Sequence, residues 1–217
     1  VLEKKAPFKY LLGHALVRDE QGEDMHKSKG NAIWFEDAAE HMGADCMRWM
    51  FAKHNPVINL NFGFGPAAEI KRILLTVWNI YSFFVTYALI DRFDPRTDAV
   101  GERSDLDRWV LSELNGLVER GTRYMEDYNP SEAGRAIQAF VDDLSNWYVR
   151  RSRRRFWKSQ SDADKLAAYT TLYQCLVALS KLLAPFTPFL AEEIHQNLVC
   201  SVDSGAVESV HLADFPV

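Results

Sequence analysis

Apolar and polar positions follow two different rhythms along this chain. From Phe8 to Val17 the apolar residues Phe8, Tyr10, Leu11, Leu12, Ala15, Leu16 and Val17 form a run of strand length. Arg18-Asp19-Glu20-Gln21-Gly22 follows and reads as a turn with glycine at its end. Glu23 to Met25 reads as a short returning strand, and His26-Lys27-Ser28-Lys29-Gly30-Asn31 as an exposed polar loop. Beyond it the rhythm is helical. The spacing predicts short helices over 36–42, stopped by Gly43, and over 45–53, where Cys46, Trp49 and Met50 share a face. Asn55-Pro56 breaks the second, and 59–66, with two glycines and two asparagines, reads as a hinge. Long helices follow over 66–92, 105–127 (capped by Ser104 or Asp105), 131–158, 162–184 and 188–199. In the last, Thr187 is placed to cap and Pro188 to occupy the first helical position. Residues 201–205 read as a loop and 207–217 as an extended tail. Long antiparallel helices with short connections predict a mainly α protein. Its expected plan is a small α/β piece over 1–62 and an antiparallel helical bundle over 63–217.

Ile73 to Ile90 is a stretch of 18 residues without charge, long enough to consider as a membrane span. Thr76, Asn79, Ser82 and Thr86 recur on it as a polar stripe, which suits a helix at the centre of a soluble bundle. No membrane association is expected. Composition agrees: 47% hydrophobic, 12% aromatic and 25% charged residues are those of a globular protein, and exclude collagen-like or wholly disordered chains. A net charge of −5 argues against a generally basic nucleic-acid coat. Cys46, Cys175 and Cys200 are too few and too scattered for a disulfide framework or a cysteine-rich zinc site, and fit a reducing, cytosolic compartment. The chain opens on Val1 with no signal-peptide pattern, which is expected of a piece of a longer protein.

Two segments can carry chemistry. A lysine on the glycine-bounded loop at 26–31 can reach a phosphate, with Ser28 and backbone N–H groups as added donors; the alternative is a plain solvated loop. The second segment is the end of the 131–158 helix, where Arg150, Arg151, Arg153, Arg154, Arg155 and Lys158 lie in nine residues with no Asp or Glu between Leu144 and Ser161. On a straight helix Arg150, Arg151, Arg154, Arg155 and Lys158 occupy an arc of about 140°, which overlaps the apolar stripe of Ile137, Phe140, Leu144, Trp147 and Tyr148. That overlap predicts a helix that leaves the core partway along. Arginines there can grip RNA phosphates and stack on bases; the alternatives are pairing with acids of other helices, or a solvated face. The six tryptophans read as core, with Trp157 the exception at the far end of the basic helix. The histidines have no metal-ligand spacing.

Residues 24–31 resemble the K-M-S-K-S signature loop of the class I aminoacyl-tRNA synthetases with its following x-G-N. Met25, Lys27, Ser28, Gly30 and Asn31 match, while Asp24 and His26 replace its first lysine and first serine. Gly43-Ala44-Asp45 with Arg48-Trp49 is similar to the G-A-D-x-x-R-W that follows the loop in the isoleucyl, valyl and leucyl enzymes. Segments 183–189 and 191–194 are similar to the last helices of their anticodon-binding bundle, and 144–157 looks most like the isoleucyl branch. The resemblance implies catalytic roles for Lys27 and Ser28, ATP contact by Met25, His26 and Lys27, and tRNA contact by Arg150, Arg151, Arg154, Arg155, Trp157 and Lys158. It implies joining of isoleucine to its tRNA with ATP and Mg²⁺, a cytoplasmic monomer, and no zinc site. The family's H-I-G-H motif is missing, so the chain alone is expected to bind RNA without activating amino acids. Rival expectations are a valyl, leucyl or methionyl enzyme, or a stand-alone helical RNA-binding module.

Overall fold

The computed structural model describes residues 5–97, 102–157 and 163–216. It is mainly helical, with one small parallel sheet pairing β1 (Val17–Arg18) with β2 (Leu60–Asn61). The helices in chain order are α1 (Phe35–His41), α2 (Ala44–Lys53), α3 (Phe64–Asp91), α4 (Asp105–Glu126), α5 (Pro130–Asp143), α6 (Arg150–Trp157), α7 (Ala163–Leu183) and α8 (Pro188–His195). A π-helical turn, Leu144–Val149, joins α5 to α6 without a break, and a second, Gln196–Cys200, extends α8.

Local sequence explains several of these boundaries. Ser104 and Asp107 form a reciprocal capping box at the start of α4, each side chain bonding the other's backbone N–H. Asn129 accepts from the Glu132 N–H, and Pro130 fills the first turn of α5. Other boundaries are set from a distance. α3 follows Gly63, and its N-terminus is met by Glu20, whose carboxylate accepts from the Gly65 N–H at 2.7 Å. A Cβ on Gly63 would fall 2.0 Å from the Glu20 Cγ, so that side chain could not lie where it does. Thr187 precedes α8, as expected, but does not cap it. The Asp45 carboxylate of α2 accepts instead, from Phe189 N (3.3 Å) and Leu190 N (2.7 Å).

The main core is built around α7, on which Ala167, Leu172, Cys175, Leu176, Leu179, Leu182 and Leu183 are fully buried. α7 and α3 are both long and apolar enough to cross a bilayer, but 67% of the relevant window of α7 is buried against 22% of that of α3. The expectation that α3 lies at the centre is therefore corrected. α3 buries one stripe, Ala67, Val77, Ile80, Tyr81 and Phe84, while Leu75, Trp78, Leu89 and Ile90 face outward. The stripe hydroxyls of Thr76 and Thr86 bond backward to the carbonyls of Arg72 and Ser82 and hold nothing across the bundle. A smaller core joins Ala38, Met42, Cys46, Met50, Phe62 and Ala67, and α2 feeds both, since Trp49 belongs to the main one.

Three further expectations change. The 8–17 run forms a strand only at its last residue. Phe8, Tyr10, Leu11 and Leu12 are exposed, and among the described residues no partner strand lies beside them; Leu16 is exposed too, although its carbonyl accepts from Leu60 N of β2 at 3.0 Å. The returning strand over 23–25 reduces to a single antiparallel bridge between Arg18 and Asp24. The tail contains a 3₁₀ turn, Val210–Leu212, whose Val210 is buried in the main core.

Candidate functional site

The loop at 24–31 has a fixed base and an exposed tip. Asp19 is buried and accepts from Gln21 N (3.1 Å), Glu23 N (2.8 Å) and Asn31 Nδ2 (2.8 Å). The Asn31 bond, with the backbone N–H of Glu23 behind it, holds the Asp19 carboxyl below the usual carboxylate range. Asn31 also donates to Asp24 O (3.2 Å) and accepts from His26 N (2.9 Å), so one amide ties both ends of the loop. Lys27–Lys29 makes a single 3₁₀ turn, ended by Gly30 at φ 71°, a left-handed conformation that glycine adopts without strain. Lys27, Ser28, Lys29 and His26 are exposed and Met25 half-buried. The Lys27 ammonium rests 4.4 Å from the centroid of the Trp34 ring. Asp24, the acid in place of the signature lysine, is paired with Arg18 at 3.3 Å. Arg18 thus offsets the negative charge that Asp24 brings to the loop. The arrangement presents two exposed cations, Lys27 and Lys29, beside a hydroxyl and the N–H groups of a tight turn, a combination suited to an anionic oxygen.

α2 connects this piece to the far end of the bundle. Besides the Asp45 cap on α8, Arg48 Nη2 donates to Pro185 O at 2.8 Å, and Trp49 meets Phe186 edge to face at 5.7 Å. Two segments that the sequence sets more than a hundred residues apart, 43–49 and 183–189, therefore form one joint.

The basic segment divides sharply. Arg150, Arg151, Arg153 and Arg154 are exposed. Arg155 is turned inward: its side chain is 13% exposed, and Nη1 and Nη2 each lie 2.7 Å from an oxygen of Asp107, a residue with no exposure at all. Arg155 Nε lies 2.8 Å from Asp164 Oδ1. Asp107 also accepts from Tyr148 OH (2.6 Å) and Ser104 N (2.9 Å). Burial alone would raise the Asp107 carboxyl, but the bonds from Arg155, Tyr148 and Ser104 outweigh it and hold it low. Tyr148 is pushed well up by burial and by the Asp107 charge. The assignment of Arg155 to the RNA-facing set is corrected on this geometry: its guanidinium is committed to two acids of the bundle. Trp157 is exposed, as expected, and Lys158 lies outside the described residues.

The predicted departure of the helix from the core also changes. Phe140, Leu144, Tyr148, Ser152 and Phe156 are buried at four-residue intervals through to the end of α6. On a straight α-helix each such step drifts by about 40°. The π turn inserts roughly one residue's worth of phase and cancels most of that drift. Its consequence is that Trp147, read as core, points outward: it is 53% exposed, and the Arg151 guanidinium lies 5.4 Å from its ring centroid. Trp34 and Trp78 are likewise exposed, whereas Trp49 is buried as expected. The signal for Trp147 in the sequence was its spacing, four residues ahead of Arg151 in an acid-free segment. Among the described residues no group of three or more His, Cys, Asp or Glu side chains could hold a metal ion.

Residues 107–217 match the family described as the anticodon-binding domain of tRNA ligase, and residues 1–63 match the family of class I tRNA synthetases (I, L, M and V). The isoleucine–tRNA ligase of Dehalococcoides mccartyi is 58% identical over 209 residues, 95% of this chain and 20% of that protein. That of Thermus thermophilus is 48% identical over 213 residues, 96% of this chain and 20% of that protein. The chain thus spans about a fifth of the length of these relatives. Two solved structures share the fold. A ternary complex of an Agrobacterium radiobacter LeuRS with tRNA and LeuAMS matches with TM-score 0.73 and 22% identity, over 99% of this chain and 24% of that one. A Mycobacterium tuberculosis methionyl-tRNA synthetase with methionyl-adenylate matches with TM-score 0.70 and 23% identity, over 94% and 43%.

Proposed function

The chain belongs to the tRNA ligases that carry an anticodon-binding domain, joined here to a class I synthetase segment, and from that premise we propose that it is part of an isoleucine–tRNA ligase. The parent joins isoleucine to its tRNA through an aminoacyl-adenylate formed from ATP. Residues 1–62 supply the ATP-contacting loop and 63–217 the tRNA-binding bundle. The enzyme works as a cytoplasmic monomer, and Mg²⁺ accompanies its ATP; no ligand for that ion is assigned among the described residues. Arg150, Arg151 and Arg154 carry this proposal. They are exposed cations on a helix without acids, in a chain of net charge −5, and phosphates are the complementary partner.

At the loop, activation builds negative charge as pyrophosphate leaves the α-phosphate. A cation that meets those oxygens more closely in the transition state than in the ground state lowers the barrier. Lys27 takes that role, with Ser28 and the turn's N–H groups orienting the phosphates and Met25 and His26 flanking the nucleotide. Asp19 and Asn31 hold the base of the loop by hydrogen bonds and leave Lys27 at its exposed tip. Aminoacylation by the full-length parent, assayed across isoleucine, valine, leucine and methionine, tests the proposal. Isoleucine is expected to be charged; charging of another of the four in its place refutes the specificity, and no charging of any refutes the enzyme. The 217-residue chain alone is expected to give no ATP–pyrophosphate exchange above a no-enzyme control.

A further inference from the structure

Resting on the reading of Lys27 as the cation that meets the ATP phosphates, we infer that Trp34 is a positioning residue for it: the indole docks the Lys27 ammonium before the nucleotide binds and gives it up to the arriving phosphates. The ammonium lies 4.4 Å from the centroid of the Trp34 ring, within reach of a cation–π contact. Lys29, two residues on and also exposed, lies over no ring among the described residues. The indole is anchored from behind. Ile33 packs on the smaller core, and the Trp34 carbonyl accepts from Ala38 N of α1 at 3.0 Å, so the ring, 52% exposed, stands out from a fixed backbone. The loop is anchored from its own side, where Asn31 bonds His26 N, Asp24 O and the Asp19 carboxylate. Ring and loop base are therefore held independently, and the Lys27 side chain bridges them.

The chemistry of the partner decides what the contact can do. A carboxylate would hold the ammonium through a charge-assisted bond and would set a negative charge beside the phosphates. Asp24, the acid within the loop, is instead paired with Arg18 at 3.3 Å. An aromatic face attracts a cation through its quadrupole and carries no net charge. At an exposed site that attraction biases the lysine toward the ring by only about two- to fivefold. A charged phosphate oxygen offers Lys27 a stronger partner, so the lysine exchanges one for the other when ATP arrives. The ring thus acts on the nucleotide-free enzyme and not on the transition state. Its removal raises the fraction of Lys27 ready for phosphate and tightens ATP by a similar factor, while the chemical step stays as it was.

The test is a double-mutant cycle on ATP–pyrophosphate exchange by the full-length parent. Trp34→Ala is expected to lower KM for ATP by about two- to fivefold and to leave kcat unchanged. Trp34→Leu, which keeps bulk without a π face, should match Trp34→Ala, and Trp34→Phe should stay near wild type. In a Lys27→Ala background Trp34→Ala should leave KM for ATP where it was, because the docked cation is gone. A KM shift of the same size in both backgrounds, no shift in either, or Trp34→Leu matching wild type overturns the dock. The reading beneath it fails separately: if Lys27→Ala alone leaves the exchange rate within about twofold of wild type, Lys27 is not the phosphate-meeting cation. The resting contact is also read directly in the 217-residue chain by NMR. Ring current should move the Lys27 ε-CH₂ protons upfield of those of Lys29, and Trp34→Ala should bring the two together; coincidence in the wild type refutes the contact. Melting curves of each variant report whether the fold is kept.

Discussion

Arg155→Gln is expected to destabilise the bundle and spare RNA binding, while Arg154→Gln, one residue away and identical in charge change, should do the reverse. Arg155 makes two 2.7 Å contacts to an Asp107 that has no exposure, and its own side chain is 13% exposed, so water replaces little of what is lost. Its removal leaves a buried carboxylate with only the neutral donors Tyr148 and Ser104. Breaking a buried pair from one side costs about 3–5 kcal/mol. In a chain of this size each kcal/mol moves the melting point by about 2–4 °C, so Tm should fall by about 6–20 °C. Glutamine retains one donor, which places the expectation toward the lower end. Arg154 is exposed, and its replacement should cost no more than about 0.5 kcal/mol, or roughly 2 °C. Binding of the isoleucine tRNA across a salt series gives the other half. Arg154→Gln should flatten the slope by about 0.7–0.9 log units per decade of salt, and Arg155→Gln should leave it alone. Equal melting points for the two variants, or a flattened slope for Arg155→Gln at unchanged Tm, would refute the division of this helix into an inward and an outward cation.

The same pair gives a pH dependence. Asp107 is held below the ordinary carboxylate value of about 3.9, so near that pH the unfolded chain binds more protons than the folded one and stability rises with pH. The contribution is complete above about pH 4 and is lost as pH falls through the lower folded value; the Tm gap between wild type and Asp107→Asn should narrow steadily in acid below that point. At the loop, Lys27→Ala in the full-length parent should slow ATP–pyrophosphate exchange by about a hundredfold with no change in melting, and a rate within about twofold of wild type would remove Lys27 from the chemistry. Asp45→Ala should cost about 1 kcal/mol, a Tm loss of about 2–4 °C, through the N-terminus of α8; an unchanged Tm would show that the cap is not used.

What the sequence disclosed divides by range. Helices α1 to α8 were legible because 3.6-residue periodicity and nearby caps are local; Ser104 with Asp107 and Asn129 with Pro130 act over three residues or fewer. Caps supplied from elsewhere were not legible. Nothing within one turn of Gly63 or Thr187 announces Glu20 or Asp45, which lie 45 and 145 residues from the N–H groups they serve. The role of Arg155 was hidden for the same reason, its partner Asp107 being 48 residues upstream. Trp147 was misread for a different one. Projection at a constant 100° per residue puts it beside Phe140 and Leu144, and only the π turn rotates it away. Residues 8–12 have strand chemistry, yet chemistry alone does not make a ladder without a neighbour.

The joint made by α2 gives the motifs of the two halves a common physical reason. Asp45 must lie in the first turn of α2 to present its carboxylate to the N–H groups of α8, and Gly43, at φ 92°, makes the turn that starts the helix there. One turn on, Arg48 reaches the Pro185 carbonyl, which the breaker before α8 leaves without an N–H partner from its own helix. Trp49, beside it, fills the space against Phe186 that the same breaker opens. Asp45, Arg48 and Trp49 thus answer three deficits created by the sequence at 183–189: bare N–H groups, a bare carbonyl and an apolar gap. The opposite side of α2 sends Cys46 and Met50 into the small core that supports the loop-bearing piece. A single ten-residue helix therefore fixes where the signature loop stands relative to the bundle, and a change on either face of it is transmitted through one rigid element.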